Sequence, residues 1–247
     1  MSNAFGDPSP SSGTNSLYAT IGRLVPRPLP ENLAGYYELA PRFARAYNPV
    51  LVDPTIIINN ESDTVFLMRV YIVSPVCAIL GRSTQYPVIT TSEETVSDGR
   101  TLCRVDLSFS VVLSEAVTKT FAVLEFKRPG SIKSEEWSPV VNTTGSVLQG
   151  ADTICRQLHK YAAIRDTPYV GVCDGLSLVL LQLGGIKENW KSVLPYQARP
   201  NEAMFWWIND LDEMKRNLFL WLFAALQECI DAWHKATVGD SVRYVAS

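Results

Sequence analysis

Residues 104–127 read RVDLSFSVVLSEAVTKTFAVLEFK. The stretch predicts two β-strands, Leu102–Leu113 and Lys119–Lys127, joined by a short polar turn. Residues two apart on a strand share a face. Glu125 and Lys127 are therefore expected to project together, with Phe126 pointing to the opposite layer. Pairing as a hairpin brings Asp106 close to Glu125. Two carboxylates and an ammonium at one sheet end suit a hard divalent cation and a phosphate, because Mg²⁺ takes oxygen ligands, usually one or two carboxylates plus water and substrate phosphate. The alternatives are plain: Asp106 as an edge-strand acid paired with Arg104 or Arg128, and Lys127 as an ordinary strand-end lysine.

Working outward, Arg128-Pro129-Gly130 stops the second strand, and Arg128 is placed to grip a phosphate as a bidentate donor. A helix is expected over Gly145–Arg165, with Val147, Leu148, Ala151, Ile154, Cys155, Leu158 and Ala162 as the stripe packed on the sheet. Gln157, Lys160 and Tyr161 lie within about one turn of it. Tyr169–Cys173 and Leu176–Leu183 read as buried strands, and Asp174-Gly175 between them is a hairpin signal. Upstream, Asn60–Leu80 reads as a helix capped by Asn60 or Ser62, and Pro75 is expected to kink or end it. Residues 81–99 are polar and turn-like. Residues 201–236 read as the longest helix, apolar nearly all round. They suit the core of this chain, a protein partner or a homodimer face.

These parts together resemble the PD-(D/E)XK nuclease-like superfamily: an Asp (Asp106), a strand ending in Glu-X-Lys (Glu125-Phe126-Lys127), then a helix with Gln-X-X-X-Tyr (Gln157, Tyr161). Val105 stands where the motif has proline. The resemblance spans residues 61–183 and extends to fungal nuclease-like domains, some attached to kinase-like sequences or acting as host-directed effectors. It implies an α/β fold, a mixed central sheet flanked by helices, with a restriction-endonuclease-like core and an added helical C-terminus. It also implies a divalent-metal-dependent nuclease that hydrolyses DNA or RNA. Asp106 and Glu125 would hold Mg²⁺ or Mn²⁺, Lys127 would assist water or phosphate charge, and Gln157 would orient the substrate. Arg128, Lys160 and Tyr161 would contact it. In such proteins the helix before the sheet often adds an acid, for which Glu61 is the nearest candidate. The other reading is a catalytically inactive nuclease-like module or effector that binds a protein partner.

Composition bounds these readings. The 247 residues are 47% hydrophobic and 19% charged, enough for a sizeable core without disulfides. Residues 1–30 read as a flexible segment with some extended structure from Leu24, and 31–247 as one domain. A net charge of −3 is not that of a chain built to track duplex nucleic acid. Five scattered cysteines and two histidines argue against zinc and against a disulfide framework. There is no Walker loop, no G-x-G-x-x-G and no nucleophile elbow. No secretory signal is visible, but Ser2-Asn3-Ala4 looks like an expression-tag remnant, which leaves a removed signal peptide as the alternative to an intracellular location. No stretch reads as an uninterrupted membrane span. The expected location is intracellular, cytoplasmic or nuclear, with no membrane involvement.

Overall fold

A computed structural model describes residues 21, 23–26, 59–97, 102–137, 149–186 and 202–245. Their elements run in the order β1 (Arg23–Pro26), α1 (Glu61–Leu80), β2 (Val88–Ser97), β3 (Leu102–Ser114), β4 (Val117–Phe126), α2 (Ser134–Trp137), α3 (Gln149–Arg165), β5 (Tyr169–Cys173), β6 (Leu178–Leu183), β7 (Glu202–Ile208) and α4 (Leu211–Val245). The strands form one seven-stranded sheet in the order β1-β7-β6-β5-β4-β3-β2. The β4–β5 and β1–β7 pairs are parallel and the others antiparallel. The architecture is therefore α/β, a mixed sheet flanked by helices.

Each face of the sheet has its own core. On one side, Met68, Ile72, Val76 and Leu80 of α1 and Leu218, Trp221, Leu222 and Leu226 of α4 cover Phe109, Phe121, Phe126, Tyr169 and Trp206. On the other, Ala151, Ile154, Cys155, Leu158 and Ala162 of α3 cover Val123, Val170, Val172, Val179, Leu181 and Phe205. Helices on both faces explain why β5 and β6 are apolar without alternation: every residue of both is buried.

Helix α1 begins with a capping box. The Asn60 side chain accepts from the Asp63 amide, and the Asp63 carboxylate accepts from the Asn60 amide. Pro75 neither ends nor breaks the helix. Proline has no N–H to donate one turn back, and Arg69–Val73 immediately before it is wound as a π-turn, from which Ser74–Leu80 resumes as α-helix. The resulting 20-residue helix has the length of a membrane span, and its most apolar 18 residues have the mean hydropathy (1.7) of one, unlike the sequence expectation, but its inner side is packed on the sheet.

Two further expectations are corrected. Residues 88–97, read as turn-like, form strand β2. The segment is polar because it is the sheet edge, where Ile89, Thr90, Thr91, Glu93 and Thr95 are exposed and pairing with β3 overrides composition. Residues 202–208, read as the start of the long helix, form β7. Ala203 and Phe205 enter the α3-side core, while Met204, Trp206 and Ile208 enter the other. A continuous apolar run does not separate a strand buried on both faces from a buried helix. The helix proper starts at Leu211, and its Phe219, Trp221 and Phe223 are buried inside this chain. Within the segment read as flexible, Arg23–Pro26 is an edge strand with Leu24 in the core. Three further sequence signals, the near-helical apolar spacing of 33–47, the Asp98-Gly99 turn dipeptide and the aromatic and basic residues Trp190, Lys191 and Tyr196 of a connecting loop, fall outside the described residues.

Candidate active site

The β3–β4 ladder ends at Leu107↔Leu124, which leaves Asp106 level with Glu125. Beyond that pair the strands part, and Asp106 Oδ2 accepts the Phe126 amide proton at 2.8 Å in place of a ladder bond. Val105 packs in the α3-side core and Leu107 in the other, although an unbroken pleat would put them on one face. The neighbouring strand switches at the same level. Ser92 receives a hydrogen bond from Arg69 on α1, whereas Glu94 pairs with Arg165 on α3. Between them the β2–β3 ladder skips Glu93, whose φ of +51° lies in the left-handed region. Asp106 thus sits where the sheet turns over and its strands separate.

Glu125 sits on the α3 side, as the strand period requires, with Phe126 in the opposite core. Its carboxylate is 4% exposed as a residue and is held on one oxygen. Oε1 accepts from Lys127 Nζ at 2.7 Å and from Gln157 Nε2 at 2.6 Å. Gln157 spends its second amide proton on the Tyr161 hydroxyl at 2.6 Å, one helical turn further on, so its side chain is fixed at both ends. Glu125 Oε2 is buried with no hydrogen-bond partner. Burial pushes the Glu125 carboxyl up to about 8. The Lys127 ammonium opposes that rise and the neighbouring Asp106 carboxylate adds to it. The Tyr161 phenol is also raised, first by burial and then by Glu125.

Asp106, Glu125, Lys127 and Gln157, separated by up to 51 positions in sequence, are therefore neighbours, with Tyr161 behind them. The remaining expected residues differ in exposure. Arg128 is exposed in the turn after β4, where Ser131 donates to the Arg128 carbonyl and Gly130 takes φ +77°. Lys160 is 2% exposed, and Tyr161 equally so, which gives Tyr161 the role of holding Gln157. Arg104, one alternative partner for Asp106, pairs with Glu93 at 3.3 Å instead.

A cleft of about 530 Å³ opens beside Asp106 on the α1 side and is lined also by Glu61, Phe66, Arg69, Val70, Glu93 and Arg104. Glu61, the expected extra acid, is on its wall. Phe66, Arg69 and Glu93 had no signal of their own in the sequence. In the sequence, Val65, Phe66, Met68, Val70, Tyr71 and Ile72 read only as a wide apolar face of this helix, with nothing to say which of them stays exposed. Among the described residues no three His, Cys, Asp or Glu side chains converge as a metal-binding group. The five cysteines form no disulfide, and burial raises the thiols of Cys77, Cys155 and Cys173. No family model, no curated protein and no solved structure matches the chain.

Proposed function

We propose that this protein is a divalent-metal-dependent nuclease with a restriction-endonuclease-like core, hydrolysing phosphodiester bonds of DNA or RNA. The observation that carries the reading is the buried Oε2 of Glu125, which accepts no hydrogen bond and has Asp106 beside it. As an anion, Glu125 would carry a buried oxygen that accepts nothing and a like-charged neighbour, both costly, which is why its carboxyl keeps a proton up to about 8 beside Asp106 when no cation is bound. A hard cation between the two carboxylates relieves both costs. Oxygen donors of this kind fit Mg²⁺ or Mn²⁺ and not a soft metal. Asp106 and Glu125 would hold the ion, with water and substrate phosphate completing its shell. When bound, the ion supplies Lewis acidity that activates water and stabilises charge on phosphate oxygens.

The remaining roles belong to the chain. Lys127, its side chain 24% exposed, stands between buried Glu125 and solvent and offers an ammonium to a phosphate oxygen. Gln157 fixes the rotamer of Glu125 and leaves Oε2 as the free ligand atom. Tyr161 fixes Gln157. The order of strand pair, helix and further strands, with Asp, Glu-X-Lys and Gln on the expected elements, supports the same reading.

The test is Mg²⁺ and Mn²⁺ titration calorimetry on wild type and Glu125→Ala, with cleavage assays on single- and double-stranded DNA and RNA in the same preparations. Metal uptake and cleavage that both disappear in the variant are expected. Folded wild-type protein with neither would leave the reading of a catalytically inactive interaction module.

A further inference from the structure

We propose that the cleft between α1 and the Glu93–Asp106 corner binds single-stranded nucleic acid, with a base stacked on Phe66 and phosphates met by Arg104 and Arg69. The inference rests on the nuclease reading for the class of substrate and goes beyond it in strandedness and in the residues that recognise it.

Phe66 is 63% exposed and Val70 45% exposed. Both line the cleft that Asp106 lines. At i and i+4 they form one continuous apolar step on α1. The fold does not need them there, since α1 is anchored by Leu67, Met68, Ile72, Val73 and Val76, all buried. A solvent-facing phenylalanine inside a charged cleft offers a face to a flat ligand.

The cleft also carries two arginines, the groups a phosphate would meet. The Arg104–Glu93 pair is exposed on both sides, at 63% and 64% of the side chains. Such a pair is weak and screened, so the guanidinium is available to a phosphate. Arg69 is oriented towards the β2 edge by its hydrogen bond to Ser92 Oγ. The lining sets these two arginines among three carboxylates, Glu61, Glu93 and Asp106, and the whole chain is acidic at −3. That is not the continuous basic surface that tracks a duplex. One aromatic platform beside two arginines matches the stacking-plus-backbone recognition of unpaired strands, and stacking needs a base whose face is free.

The experiment is fluorescence anisotropy in EDTA, which removes cleavage from the readout. Probes are labelled oligothymidylate and oligouridylate of about 16 nucleotides, the upper site size of single-strand grooves, and a DNA duplex of equal length. Wild type is compared with Phe66→Ala, Phe66→Trp and Arg104→Gln. Tighter binding of a single strand than of the duplex is expected, with a loss of about tenfold in Phe66→Ala and retention in Phe66→Trp. Arg104→Gln should flatten the salt dependence by about one counterion. The two single-stranded probes separate DNA from RNA. Equal affinity for duplex and single strand, no binding of any probe, or an unchanged Phe66→Ala overturns the inference. Phe66-dependent binding without Mg²⁺-dependent cleavage in the same preparation would leave it standing and remove the nuclease reading. Cleavage with Phe66-independent binding would do the reverse.

Discussion

Two buried carboxylates lie at the same end of neighbouring parallel strands, Glu125 on β4 and Asp174 just past β5, and they are built in opposite ways. Asp174 is fully buried and accepts three backbone amide protons. Ile132 donates to Oδ2 at 3.0 Å, and Leu176 and Ser177 donate to Oδ1 at 3.0 and 2.8 Å. It clamps the loop after β4 to the β5–β6 turn, where Gly175 takes φ +83°. Glu125 is almost as buried, yet one of its oxygens has no partner and a second carboxylate stands beside it. The difference separates structure from chemistry. Backbone donors satisfy a carboxylate permanently, whereas Glu125 Oε2, held in place by the bonds of Lys127 and Gln157 to Oε1, accepts nothing, which is what the proposed metal site requires.

The largest effect expected from breaking this contrast is on Asp174. Asp174→Ala strands the buried amides of Ile132 and Ser177 and loses charge-assisted bonds, a cost of about 3 kcal/mol or more, since each unsatisfied buried donor costs roughly 1–3 kcal/mol. Urea unfolding measures it. A loss under about 1 kcal/mol would mean that water replaces the carboxylate.

Glu125 should behave in the opposite sense. Its folded pKa, about 8, lies above the ordinary glutamate value of 4.5. Between those values the unfolded chain gives up a proton that the folded chain keeps, so stability falls as pH rises through that window and levels off above it. Glu125→Gln removes this slope, and the variant should gain on wild type from about pH 4.5 to 8 in metal-free unfolding curves. Identical slopes would place Glu125 in water rather than in the protein.

A smaller effect is expected at Gln157, which hydrogen-bonds Glu125 and, on the proposed reading, orients a metal ligand without being one. Gln157→Ala should weaken Mg²⁺ or Mn²⁺ uptake about 10–100-fold, the usual cost of an outer partner, with little change in unfolding free energy. Gln157→Glu should not restore it, because a third carboxylate opposes Glu125. Smallest of all is Glu93, whose φ of +51° costs an L-residue roughly 1 kcal/mol. Glu93→Gly should change stability by less than that, because glycine relieves the strain but loses more entropy on folding.

The centre of the site is legible in the sequence. Glu125 and Lys127 share a face and Phe126 enters the opposite core because a strand has period two, a property local to three residues. Gln157 and Tyr161 meet because four residues make about one helical turn. Three strands are hidden for different reasons. β2 is polar because it is an edge, and β7 is uniformly apolar because both of its faces are buried. β1 lies in a proline-rich tract, where four residues pair with a strand 179 positions away (Arg23↔Glu202). None of these is written in local periodicity.

By itself, then, the sequence determined the hairpin carrying Asp106 and Glu125, the faces of Glu125, Lys127 and Phe126, and the helices on either side, because each follows from short-range geometry and capping chemistry. Only the tertiary structure decided how exposed each charge is. It left Glu125 Oε2 unpaired, buried Lys160, gave Arg104 to Glu93, and opened the cleft that leaves Phe66 in solvent beside Asp106. Those outcomes depend on where the two cores close over the sheet and where its strands part, and both are set by contacts between residues far apart in the chain.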